Sequence, residues 1–254
     1  MKTVIAVYTG TGNSLYIASR FEDAEIHLVE EFLNGDYVLP ESVDSLGIIF
    51  PVYCVGIPHP VKRFIEEVLG ERDNSELGYL FAINTNGGMR GHANYQMEML
   101  LAENGLRLAY ANSIRMPDAY LPLTRKFPSQ KEALEMMEKE EEKLAEIIND
   151  IETNQIKLPR KGLFPHMVRK ITENANRPHK KNGLTLSESC VGCGICEKIC
   201  PNGNIEIVEG KPIFNDKCLS CYACYHRCPE HALKYKNVKG QYKGLQETSK
   251  LFRR

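Results

Sequence analysis

Thr3-Val4-Ile5-Ala6-Val7-Tyr8-Thr9-Gly10-Thr11-Gly12-Asn13-Ser14 is the stretch on which the fold turns. Its first six residues are a nearly unbroken apolar run rich in β-branched side chains, the composition of a parallel strand buried on both faces. The run breaks at Thr9, and Leu15, Ala18 and Phe21 then recur at helical spacing. A strand that feeds a small-residue turn and a helix start leaves the first helical N–H groups unpaired. The hydroxyls of Thr9, Thr11 and Ser14 add donors, and the result is an anion site. Gly10 and Gly12 let the backbone close around a phosphate. This is not the six-residue dinucleotide fingerprint, and it lacks the lysine that a nucleotide-triphosphate loop carries after its last glycine. With no Lys or Arg in it, the loop fits a phosphate monoester held by neutral donors.

Beyond this stretch, strand-like and helix-like segments alternate. Glu25–Val29, Ser45–Tyr53 and Gly78–Thr85 read as strands two to four, and a fifth lies within Gly105–Arg115. Pro60–Leu69 and Asn94–Glu103 read as helices. Gln130–Ile151 reads as a longer one, with Leu134, Met137, Leu144, Ile148 and Ile151 along a core-facing stripe. The alternation predicts an α/β domain over residues 1–155, a doubly wound five-stranded parallel sheet whose ligand lies beyond the carboxyl ends of the strands. Three loops meet that condition: Thr9–Ser14, Pro51–Pro58 and Asn84–Gly91.

Together these loops resemble those of the flavodoxins in order and position. The resemblance implies an FMN-binding domain in which Thr9, Gly10, Thr11, Gly12, Asn13 and Ser14 hold the phosphate. It implies that Pro51, Val52, Tyr53, Cys54, Val55 and Gly56 face the isoalloxazine, with Tyr53 as the stacking ring and Gly56 as the flexible peptide at N5. Asn84, Thr85, Asn86, Gly87 and Gly88 would serve the pyrimidine edge. The chain departs from the flavodoxin pattern in having no tryptophan and no aromatic between Asn84 and Gly91, which leaves the second ring face open to a substrate or a cluster. One monophosphate's worth of donors, with no second nucleotide module, favours FMN over FAD.

Eight of the nine cysteines form two copies of one pattern. Cys190-x2-Cys193-x2-Cys196-x3-Cys200-Pro201 is repeated 28 residues later as Cys218, Cys221, Cys224 and Cys228-Pro229. Bacterial two-cluster ferredoxins hold a pair of [4Fe–4S] cubanes with this spacing. Three thiolates at two-residue intervals surround one face of a tight loop. The fourth would have to turn back sharply, and in this pattern it goes to the other cluster. Cluster one therefore takes Cys190, Cys193, Cys196 and Cys228; cluster two takes Cys218, Cys221, Cys224 and Cys200. Ile205 and Leu233 share the same offset, as do Ile207 and Tyr235, so each half is a cluster loop followed by a short strand. Zinc needs only four ligands and would leave the third cysteine of each run and both prolines unexplained. A disulfide framework needs an oxidising compartment, whereas the sequence opens directly into a strand; a cytoplasmic setting with little oxygen is expected.

Taken whole, the chain resembles the flavodoxin–ferredoxin fusions known as ferrodoxins, and the segment Met116-Pro117-Asp118-Ala119-Tyr120 fits that likeness. The expected organisation is the flavodoxin-like domain (1–155), a basic linker (156–182), a smaller α+β two-cluster domain (183–236) and a basic tail (237–254). The longest apolar stretch, Leu46 to Pro58, is too short and too proline-broken to span a bilayer. Gln130–Glu152 carries nine acids against three bases, whereas Lys157–Lys181 carries eight bases. Those bases lack the interleaved aromatics of a nucleic-acid surface. They read as a solvated linker or as a docking surface for an acidic redox partner, and Arg160–Lys181 is expected to hold the cluster domain against the acidic helix.

Single residues add less. Cys54 reads as a small buried hydrophobe or as a flavin-tuning thiol. Asp118 and Tyr120 are turn formers or ligand contacts, and His92 reads as solvated. Tyr222 and Tyr225 are expected to exclude water from the clusters, with His226 and His231 on the surface. Two functions follow from the likeness. One is an electron carrier linking two clusters to FMN, with a low-potential ferredoxin or reductase as partner. The other is an FMN-dependent reductase of a small-molecule substrate, fed by its own clusters. The carrier is favoured because no convergent acid–base set is visible. The sequence is silent on oligomeric state.

Overall fold

The computed structural model describes residues 2–124, 126–160, 165–179 and 183–245. The first half is a five-stranded parallel sheet of β1 (Thr3–Val7), β2 (Ala24–Leu28), β3 (Val43–Pro51), β4 (Leu77–Asn86) and β5 (Tyr110–Arg115), in the order 2-1-3-4-5. That order is the flavodoxin-like doubly wound one, with its switch point between β1 and β3. β1 alternates across the sheet. Ile5 and Val7 face a core shared with α1 (Asn13–Ala18) and α5 (Gln130–Glu152). Val4, Ala6 and Tyr8 face a second core under α2 (Val29–Asn34), α3 (His59–Arg63) and α4 (Ala93–Glu103). α3 continues as a π-helical turn over Phe64–Leu69.

α5 begins where a capping box permits. Glu132 N–H donates to Ser129 Oγ at 3.3 Å, and Ser129 N–H donates to Glu132 Oε2 at 2.7 Å. Its buried stripe is Ala133, Met137, Leu144, Ile147 and Ile151; Leu134, expected in the core, is instead exposed.

The second half contains two antiparallel pairs. β6 (Leu184–Leu186) pairs with β9 (Leu233–Tyr235), and β7 (Ile205–Val208) pairs with β8 (Lys211–Phe214). Short helices α7 (Ile195–Lys198) and α8 (Ala223–Arg227) follow the two cysteine loops.

The linker expectation needs correction. Its described part holds an 11-residue helix, α6 (Pro165–Ala175), packed on the first half. Gln96 Nε2 donates to Thr172 Oγ1 at 2.8 Å, and Asn176 Nδ2 donates to the carbonyls of Tyr53 and Ile57. Arg169 pairs with Glu103 of α4 and with Glu173 of its own helix. Among the described residues of 160–181, no ion pair reaches the acidic α5, so the expected clasp is absent there. Lys161, Lys180 and Lys181 lie outside the described residues, as do Lys250, Arg253 and Arg254 of the tail.

The halves are not tethered beads. Tyr222, Tyr225, Leu233, Tyr235, Tyr242 and Leu245 join the same buried cluster as Ile5, Phe81 and Leu144. The tail expectation changes accordingly, because Tyr242 and Leu245 are each only 1% exposed.

Candidate functional site

Beyond the carboxyl ends of β1, β3 and β4 lies a cavity of 420 Å³, within the range of small-ligand sites. Thr9, Gly10, Thr11, Asn13, Ser14, Pro51, Val52, Tyr53, Cys54, Val55, Thr85, Asn86 and Gly87 line it. Gly12, Gly56, Asn84 and Gly88 do not, although all four sit in the same loops. Gly12 caps α1 at φ 101, a left-handed conformation that suits glycine. Asn84 is buried and donates to Asn94 Oδ1 at 2.7 Å, while Asn86 accepts from Gly88 N–H at 3.1 Å.

Gly56 lies under α6. A Cβ there would come within 2.7 Å of Gln96 Oε1 and 2.8 Å of Thr172 Cβ. The strained residues of this turn are its neighbours Cys54 and Val55, at φ 44 and 58, where a β-branched side chain is an outlier. Cys54 is exposed on the rim rather than buried. Tyr53 packs edge-on to Tyr8 with ring centroids 6.0 Å apart. Burial, and next to it the Cys221 thiol, raises the Tyr53 hydroxyl above its ordinary range. Asn13 lines the cavity, while its side chain bonds Pro117 and Tyr242.

The cysteines gather around two further cavities. One is ringed by Cys190, Cys193, Cys196 and Cys228, the other by Cys200, Cys218, Cys221 and Cys224. Each set takes three from one run and one from the other. Backbone N–H groups point at the sulfurs: Asn204 to Cys200 at 3.3 Å, and Ala232 to Cys228 at 3.3 Å, again 28 residues apart. Among the described residues, no three His, Cys, Asp or Glu side chains converge as a single-ion site.

The second cysteine loop forms part of the wall of the first cavity. Leu219, Ser220 and Cys221 line it, together with Ala175, Asn176 and His179 from the α6 segment. A Cβ on Gly10 would stand 2.9 Å from Cys221 Cβ and 2.8 Å from Tyr53 Oη, so only glycine lets these three meet. Tyr120 and Tyr222 pack across the seam with their rings tilted by 58° and centroids 5.7 Å apart. His179 N–H and C=O both bond Cys218, at 2.9 and 3.0 Å.

His226, expected at the surface, is fully buried. Tyr242 N–H donates to its Nδ1 at 3.1 Å, so the proton sits on Nε2 and is donated to Ala119 C=O at 2.8 Å. Burial lowers its pKa to about 4. His231 is exposed, as expected, while Tyr222 and Tyr225 are buried. Tyr242 Oη donates to Asn13 Oδ1 at 2.8 Å, and Gln241 Nε2 donates to Cys228 C=O at 2.7 Å. Arg227 donates to Thr11 C=O at 3.2 Å. Thus the cation missing from the Thr9–Ser14 loop stands behind it, supplied by the other half.

Sequence reasoning missed Met89, Met116, Pro117, Ala119 and Leu123 on the cavity wall, and every contribution from beyond residue 170. The segment 116–120 carried the nearest signal, since it follows a strand end. Nothing local marks Asn176 or Ser220.

A family model for the 4Fe-4S dicluster domain matches residues 189–233. No curated protein matches the chain. Among solved structures, the Trp repressor binding protein from Bacillus subtilis is 17% identical, covering 45% of this chain and 83% of that one, with a TM-score of 0.35. A flavoprotein in complex with FMN from Lactobacillus acidophilus is 15% identical, covering 44% and 92%, with a TM-score of 0.34. The two-electron reduced flavodoxin of Megasphaera elsdenii is 13% identical, covering 44% and 85%, with a TM-score of 0.34. At such values the fold assignment rests on the sheet order alone. Among the described residues, no helix is long and apolar enough to cross a membrane. The chain is a flavodoxin-like α/β half followed by a 4Fe-4S dicluster domain, joined through one continuous core.

Proposed function

We propose that the protein is an electron-transfer device in which two [4Fe–4S] clusters exchange electrons with an FMN held in the 420 Å³ cavity. The observation that carries this reading is the contact between Gly10 of the phosphate loop and Cys221 of the second cysteine run. It brings a cluster ligand into the wall of the flavin cavity. The residues present fit the cofactors. The loops beyond three strand ends form a cradle with hydroxyl and amide donors. The grouping of the cysteines supports crossed ligation, with Cys228 serving the cluster of Cys190, Cys193 and Cys196, and Cys200 serving that of Cys218, Cys221 and Cys224.

When bound, FMN supplies exchange of electrons singly or in pairs, which single-electron clusters lack. The chain's own residues set the order. Cluster two is proximal, because Cys221 and Ser220 line the flavin cavity. Cluster one is distal, because its cavity is lined wholly by residues of the second half and Cys193 is exposed. With the cofactors bound, Cys190, Cys193, Cys196 and Cys228 would hold the centre that receives electrons from a redox protein, and Cys218, Cys221, Cys224 and Cys200 the centre that lies between it and the flavin. Anaerobic purification should yield eight irons and eight acid-labile sulfides, filling eight thiolates, and one FMN per chain. Zinc in place of iron, or release of FAD on denaturation, would overturn the cofactor assignment.

A second reading, reduction of a small substrate above the flavin, is favoured by the open mouth of the cavity, where Met89 and Leu123 are 65% and 66% exposed. Turnover of electron-poor aromatics or quinones by FMN-loaded protein with dithionite as the electron source, at rates above the direct reaction and independent of any added redox protein, would select it.

A further inference from the structure

α6 carries its amphipathicity the wrong way round. It buries Thr172 and half-buries Arg169 against the first half, yet leaves Met167 58% and Ile171 61% exposed. Met167, Ile171 and Ala175 follow one another at intervals of four, so they form a single stripe along the outer face. The stripe leads to the cavity mouth, since Ala175 lines it and Val55, Met89 and Leu123 stand exposed on its rim. Lys170 and Arg177 are exposed beside it, and Arg160 precedes it. Of the eight Lys or Arg in residues 157–181, Lys157 pairs with Asp150 and Arg169 with Glu103 and Glu173, whereas Arg160, Lys170 and Arg177 stand exposed among the described residues. The chain as a whole carries a formal charge of only −1, so this density of bases is local.

An apolar stripe rimmed by one sign of charge is the make-up of a transient redox interface. The charges steer the encounter and the apolar centre lets two cofactors approach. We infer that the outer face of α6 and the adjoining rim of the cavity are the docking surface for an acidic redox protein. That partner is a small carrier with carboxylates around its own cofactor. The placement gives the surface two short links to the proposed exit side of the chain. Asn176 bonds the Tyr53 carbonyl in the cavity wall, and His179 bonds Cys218 of the second cysteine run. This inference rests on the proposed flavin site for its electron path, while the docking itself depends only on the surface.

The test uses the full chain with its clusters. The probes are a small acidic [2Fe–2S] ferredoxin, a small basic c-type cytochrome of similar size, and anionic phosphatidylglycerol vesicles. Binding is measured by titration calorimetry under anaerobic conditions, and transfer by rapid mixing, at two salt concentrations. The acidic ferredoxin should bind at least about tenfold more tightly than the cytochrome at low salt, and the advantage should shrink at high salt. Lys170→Glu/Arg177→Glu should abolish the preference. Met167→Ser/Ile171→Ser should weaken binding with its salt dependence retained. All four residues are exposed, so cluster absorbance and flavin content should be unchanged. Equal binding of both redox proteins, or no effect of charge reversal, overturns the inference. Charge-dependent binding to the vesicles without binding to ferredoxin overturns it in favour of a lipid surface. Tight ferredoxin binding to protein that holds no flavin supports the surface and refutes the flavin reading, so the two failures are separable.

Discussion

The two cysteine runs have the same spacing and the same backbone, but not the same residues. Gly192, Gly194 and Gly203 of the first run have φ of 68, 75 and 55. Their counterparts 28 residues on, Ser220, Tyr222 and His231, have φ of 51, 56 and 48. The first run reaches these left-handed positions with glycine, at little steric cost. The second reaches them with side chains that L-residues rarely place there, at about 1 kcal/mol or more each. Tyr222 shows what offsets the strain. It is buried against Tyr120 and Tyr235, and Cys221 beside it touches Gly10. The first loop is built for access and the second for contact, and the proposed order of outer intake and inner relay rests on that difference.

The sharpest way to break this comparison is to remove one ligand from each loop. With Cys221→Ser the flavin should lose cluster-fed reduction by orders of magnitude, and with Cys200→Ser the same cluster signal should be damaged in electron paramagnetic resonance. With Cys193→Ser the inner cluster should still reduce the flavin when a small-molecule reductant is supplied. Equal losses from the two loops would erase the distinction between intake and relay.

Next in size is Gly10→Val, which drives a side chain into Cys221 and Tyr53. FMN affinity should fall by about a hundredfold, the equivalent of roughly 3 kcal/mol, with the outer cluster spectroscopically unaltered.

His226 has no counterpart in the first run and tests the buried side by pH. Its folded pKa, about 4, lies below the ordinary 6.5, so the unfolded chain binds the proton first as pH falls. Stability is therefore full above about pH 6.5 and is lost progressively toward about pH 4, by about 3 kcal/mol. Denaturant titrations of the native chain should show this slope, and His226→Gln should flatten it.

The smallest effect is an exchange of loop residues. His231→Gly should stabilise by about 0.5 kcal/mol and Gly203→Ala should destabilise by about 1 kcal/mol, because only the first removes a left-handed side chain. Thermal denaturation of the loaded protein would show opposite signs.

What the sequence disclosed follows local physics. β1 announces itself as a β-branched apolar run and the other strands by their alternation with helical segments, and the cysteine repeat fixes its loops because ligand spacing is itself a geometric constraint. α6 was hidden for a physical reason. Its packing face is polar, with Thr172 and Asn176 hydrogen-bonded inward, so its hydrophobic pattern points away from the core. α2 begins at once after β2, leaving no turn signal between them. His226 was misplaced because both its partners are remote, Ala119 being 107 residues away. Of the cavity, the three loops were legible as strand ends. The wall supplied by Asn176, Ser220 and Cys221 was not, because it exists only once the halves meet.

The bond from Tyr242 to Asn13 spans 229 residues, close to the greatest sequence separation this chain allows. Contacts of such long range form late, because the loop they close must first lose its freedom. During synthesis, the turn Thr9–Ser14 therefore waits for a tyrosine made 229 residues after Asn13. On the proposed FMN reading, chains truncated before residue 242 should bind the nucleotide poorly even with every residue of the first half present.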